Sequence, residues 1–215
     1  MGTAPARFAV ERQQWAEAAA LPAPAKTPSG RAAWAQANLY YARGLGAARL
    51  GKAEAAREEL KALGAIREAL VEAKEKYWAE QMEIQGEVVA AWIAFAEGSK
   101  EDALKRMRAA ADHEDATDKH PVTPGVIVPA RELLGEMLLE LQQPAAALEA
   151  FEATLRGAPK RFNALAGAAR AAEQAGDSAK AARYSAELVE ICGRADAPRP
   201  ALARAKESLA AKSHD

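Results

Sequence analysis

Apolar residues recur along this chain at three- and four-residue steps. Leu60, Leu63, Ile66 and Leu70 keep that rhythm without interruption, which is the spacing of one face of an α-helix. No proline interrupts residues 65–85. The pattern therefore predicts two long helices on either side of a turn near 74–76, each extended by about two turns at ~1.5 Å per residue. Elsewhere the helical runs are punctuated by Gly, by paired polar residues, or by Pro, as at Pro159, where a helix is expected to stop. No segment shows the alternation of a strand.

The punctuation repeats. "YYARGLGAARLGKAEAAREEL" (40–60), "EVVAAWIAFAEGSKEDALKRM" (87–107), "RELLGEMLLELQQPAAALEAF" (131–151) and "LAGAARAAEQAGDSAKAARYS" (165–185) align on small residues. Gly44, Ala91, Gly135 and Ala169 stand at one offset, and Ala56, Ala103, Ala147 and Ala181 twelve residues later. Each copy reads as a helix, a break and a second helix. A shorter copy, "FAVERQQWAEAAAL", puts Ala18 at the second small position with Trp15 just after its break. The alanines from Ala18 to Ala181 are 38, 47, 44 and 34 residues apart. The 47-residue step contains the long helices. The 44-residue step contains "DHEDATDKHPVTPGVIVP" (112–129).

These copies resemble the tetratricopeptide repeat (TPR) family, in which a small residue of the first helix packs against a small residue of the second. The bulky third position of that pattern is met by Leu60, Met107 and Phe151, while Ser185 departs from it with Tyr184 beside it as the substitute. The tryptophan that opens the family's repeat is replaced by Tyr40, Glu87, Arg131 and Leu165. Four copies in phase carry the resemblance. "EDATDKHPVTPG" and "PARELLGEMLLE" further resemble the C-terminal region of a group of bacterial TPR proteins, which implies no particular activity. The fold implied is all-α: a right-handed solenoid of antiparallel helix pairs spanning 1–215 as one domain. It comprises a partial repeat at 4–22, repeats near 31–73, 77–115, 128–159 and 161–193, one elongated hairpin, and a capping helix at 198–212. The short first copy leads us to expect that the chain continues a longer array.

TPR proteins bind extended peptides on the concave surface lined by first helices. The resemblance places groove positions at Asn38, Tyr41, Leu45 and Arg49, then at Gln85, Val88, Trp92 and Phe95. Further along they fall at Glu132, Glu136 and Glu140, and at Asn163, Arg170 and Glu173. Tyr41, Val88 and Glu132 stand where one TPR class has the Lys and Asn that clamp a C-terminal carboxylate, so that ligand is not expected. For Trp92 and Phe95, packing against the neighbouring copy is the competing reading. On the long hairpin, Tyr77 and Trp78 lie near the tip beside charged residues, the pattern of a binding hot spot. The competing reading folds Trp78 and Met82 back onto the second copy.

Composition narrows the function classes. Alanine makes up about a quarter of the chain and aromatic residues 6%, which favours helices at close approach. The 29 basic and 30 acidic residues leave no basic footprint for nucleic acid. No apolar stretch reaches the ~18 residues of a membrane span, and the opening residues show no signal-peptide pattern. The single Cys192 rules out an internal disulfide and reads as a small buried residue. His113, Asp115, Asp118 and His120 are ligand types within one short span, but their spacing matches no known metal motif. The stronger reading of that span is a connector stiffened by Pro121, Pro124 and Pro129, still a fair place for binding. No nucleophile–base pair, carboxylate pair or phosphate loop stands out. The glycines of "GLGAARLG" (44–51) lie in a helix and at its end. Neither an enzyme nor a cofactor is expected. Two classes remain: an interaction scaffold for a protein or peptide partner, self-association included, and a regulatory or recruiting segment of a larger enzyme or transporter-associated protein.

Overall fold

The computed structural model describes residues 3–23, 33–118, 126–193, 195 and 199–212. Among them the secondary structure is helical throughout, in eleven helices. They are α1 (Thr3–Glu11), α2 (Trp15–Ala19), α3 (Trp34–Arg49), α4 (Ala53–Glu72), α5 (Lys76–Ala96), α6 (Lys100–Ala116), α7 (Ala130–Glu140), α8 (Pro144–Gly157), α9 (Phe162–Gln174), α10 (Ser178–Ile191) and α11 (Pro200–Lys212). None is long and apolar enough to cross a membrane. The chain divides into two compact units, Met1–Ala130 and Arg131–Asp215.

Within each unit, helices pack on their sequence neighbours. Alternate helices also meet: α1 on α3 and α3 on α5 in the N-terminal unit, α9 on α11 in the C-terminal one. In the N-terminal unit α1, α3 and α5, the first helices of their hairpins, thus form a layer of their own. The predicted long hairpin is present, with α4 of 20 and α5 of 21 residues, well above the ~11–12 of an average helix. Leu63, Ile66 and Leu70 are buried along it. The front of the histidine-rich stretch is also helical, since Asp112 to Ala116 complete α6.

Six turns close in the same way. The residues at 13, 51, 74, 98, 142 and 176 take positive φ. The following N–H reaches back five residues, from Gln14 to Ala9, Lys52 to Ala47, Glu75 to Leu70, Ser99 to Ala94, Gln143 to Leu138 and Asp177 to Ala172, each at 2.9 Å. This is the Schellman closure of a helix C-terminus. In five of these turns the left-handed residue stands five positions before Ala18, Ala56, Ala103, Ala147 and Ala181. All five alanines are buried. Turn and packing alanine therefore share one register, even where Gln13 and Gln142 replace glycine. A glutamine in the left-handed region carries a Cβ clash of about 1–2 kcal/mol. Gln142 is exposed, so Gln142→Gly should stabilise the protein by roughly 0.5–1 kcal/mol after glycine's larger entropy cost. A melting scan should show a rise of roughly 1–4 °C. A fall would mean that the Gln142 side chain contributes more than the strain costs.

Close approach is set by glycines at three places. A Cβ on Gly46 would lie 2.7 Å from the backbone N of Ala19 and the O of Trp15, so α2 rests directly on the α3 backbone. A Cβ on Gly135 would lie 2.8 Å from the Phe151 ring, and one on Gly167 2.4 Å from it. The ring of α8 is thus held between α7 and α9. In this hairpin the small residue of the first helix receives the bulky third-position side chain, a contact beyond the small-on-small pairing the resemblance implies.

Candidate functional site

The inner layer of the N-terminal unit brings together two predicted groove residues. Asn38 of α3 and Gln85 of α5 face each other, with Gln85 Nε2 donating to Asn38 Oδ1 at 3.3 Å. Tyr41 and Val88 lie beside them and are buried. What covers them is part of the chain itself. Val126, Ile127 and Val128 follow the connector in a non-helical segment. With Tyr41, Gln81, Ile84, Gln85, Val88 and Glu114 they line a small cavity of ≈10 Å³. Arg7 of α1 donates to the Val126 carbonyl at 3.1 Å. The Glu114 carboxylate accepts from the Ala130 N–H at 2.7 Å, where a negative charge complements the start of α7. The segment is thus tied at both ends across the first helices. A signal for it existed in the sequence: "VIV" is an aliphatic run in an otherwise polar connector, and such a run is expected to find cover.

Further along the same layer the aromatic residues lie inside the fold. Trp92 is 1% exposed. The Arg49 guanidinium lies 3.9 Å from its ring centroid and 5.1 Å from that of Trp15. Phe95 meets Trp92 edge-on at 5.2 Å. Arg49, half-buried, forms an internal cation–π sandwich. Tyr41, 2% exposed, is likewise covered. The physical reason is that α1, α3 and α5 pack on one another directly, so these positions serve the layer before any ligand.

In the C-terminal unit, Glu132 is fully buried and pairs in a fork with Arg161, at 2.5 Å to Nε and 3.2 Å to the terminal nitrogen. It is an internal ion pair where the sequence places a groove position. Arg199 donates to Asn163 at 2.9 Å and stacks on Phe162 at 3.7 Å. Glu136 is half-buried on α7. Arg170, also half-buried, lines a cavity of ≈30 Å³ among α9, α10 and α11. That cavity opens where Ser185 replaces the bulky third-position residue. Tyr184 does not fill it: its hydroxyl donates to Glu152 of α8 at 2.7 Å. Burial alone would raise the Glu152 carboxyl. The bonds from Lys180 and Tyr184 outweigh it and hold Glu152 below the usual carboxylate range. Burial and the bond to Glu152 push Tyr184 above its ordinary value.

The aromatic pair of the long hairpin does not stand free. Trp78 stacks on Trp34, the first residue of α3, with centroids 4.0 Å apart and planes within 5°. Tyr77 meets Trp78 edge-on at 5.0 Å, and Met82 is buried. The outer half of the hairpin therefore lies alongside α3, because the long α5 reaches back to where α3 begins. Of the four candidate metal ligands, His113 Nε2 lies 3.1 Å from Glu80 Oε1. Asp115 and Asp118 are exposed, and His120 lies outside the described residues. Among the described residues no three potential ligands converge. Cys192 is half-buried just after α10, rather than fully buried.

No family model matches the chain, and no curated protein matches it either.

Proposed function

We propose that the protein is a TPR-like interaction scaffold, wound right-handed, which holds an extended peptide segment of a protein partner on the first-helix surface of α3 and α5. One observation supports this reading most: that surface already holds a non-helical aliphatic segment, residues 126–128, against Tyr41, Ile84 and Val88. The Asn38–Gln85 amide pair at its floor supplies donors and acceptors suited to a peptide backbone. The reading assigns the chain a binding role and no reaction of its own.

Selection from a displayed peptide library on the whole chain tests it. Peptides should be recovered whose binding falls at least tenfold when Asn38 and Gln85 are both changed to Ala, with the melting temperature little changed. Recovery of no peptide, or only of peptides indifferent to that double change, would remove this surface as the site.

A further inference from the structure

We infer that residues 126–128 are a resident occupant of this peptide site, and that an aliphatic segment of a partner protein displaces them. The inference rests on the scaffold reading and gives the site both a ligand chemistry and a built-in competitor.

Ile127 and Val128 are buried although they belong to no helix. Their surroundings select β-branched aliphatic side chains. The fit, however, is apolar only. Gln81 is 8% exposed and lines the cavity. Gln85 Oε1 is buried with no donor, although its Nε2 is used. The two glutamines stand four residues apart on one face of α5. The space left to them, ≈10 Å³, is at the lower limit for a water molecule. A buried amide left unpaired opposes the arrangement that buries it. The contacts of Arg7 to Val126 and of Glu114 to Ala130 hold the segment at its ends. Both are part-buried and within reach of solvent as the segment lifts.

A partner segment that supplies the same aliphatic side chains and turns a backbone N–H toward Gln85 Oε1 makes the apolar contacts the resident makes, and adds the donor that Oε1 lacks. While the resident is seated, the apparent affinity for such a partner falls by the fraction of molecules with the site open.

The probe is an unlabelled, end-blocked peptide with the sequence of residues 123–130, titrated into the whole ¹⁵N-labelled chain and followed by NMR. On saturation the Val126, Ile127 and Val128 amide resonances should move to random-coil positions, while those of α3 and α5 shift and stay dispersed. Ile127→Ser, which weakens the resident, should bind the peptide at least tenfold more tightly than wild type. Adding Gln85→Leu should reverse that gain. Binding with the resident resonances unmoved, or an Ile127→Ser variant that keeps its melting transition and binds no better, would overturn the inference. So would loss of cooperative melting in both Ile127→Ser and the milder Ile127→Ala, which would make the segment core. Dimers of Ile127→Ser in sedimentation would assign the site to a second copy and overturn the proposed partner. A library peptide that binds through Asn38 and Gln85 while the resident stays seated leaves the scaffold reading standing and removes only this one.

Discussion

Phe151→Ala is expected to lower the stability of the protein by about 3–5 kcal/mol, the usual cost of emptying a buried aromatic site. Phe151 is 1% exposed. Its ring fills the space left by the missing side chains of Gly135 and Gly167, whose Cβ positions fall 2.8 and 2.4 Å from it. The same contact predicts the reverse experiment. Gly167→Ala drives a methyl into the ring and should cost about 1–3 kcal/mol by overpacking, with Gly135→Leu at or above that range. Because residue 151 and residue 167 compete for one volume, their effects must be non-additive. Gly167→Ala combined with Phe151→Leu should be more stable than the sum of the two single changes requires. Denaturant titration of the four proteins closes the cycle. Additivity within error would mean that ring and glycine do not meet.

Trp92→Ala should cost a similar ~3–5 kcal/mol, a drop in melting temperature of roughly 6–20 °C for a chain of this size. Trp92 is 1% exposed and stacks on Arg49 and Phe95. Its indole N–H has no acceptor among the described residues, so the polar end of the side chain adds nothing to its burial. Trp92→Phe keeps most of the apolar contact, removes the unpaired N–H, and should be far milder. An open-groove role for Trp92 leads to the opposite result: an unchanged melting temperature for Trp92→Ala together with lost peptide binding. Thermal melts of the two variants decide between core and groove.

The helices, their order and their register were legible in the sequence because they depend on local rules. A 3.6-residue apolar rhythm, an alanine that permits close crossing, and a turn residue five positions before it all act within about twenty residues. So the unbroken run from Leu60 onward predicts α4 and α5, and the alanine steps of 38, 47, 44 and 34 return as the steps between left-handed turn residues. What each predicted groove residue touches was not legible, because that depends on which helix lies opposite. Arg49 meets Trp15 and Trp92, Glu132 meets Arg161, and Trp78 meets Trp34, through contacts between residues up to 44 positions apart. Charge and aromaticity mark such residues for binding and for burial alike, and only their neighbours separate the two. The seating of Val126, Ile127 and Val128 is the extreme case. The aliphatic run announces that the segment needs cover, but the cover comes from α3 and α5, roughly forty to ninety residues earlier in the chain. Sequence pattern determined the helices and their register; the tertiary structure decided which surfaces remain open, because burial depends on the elements packed around each position.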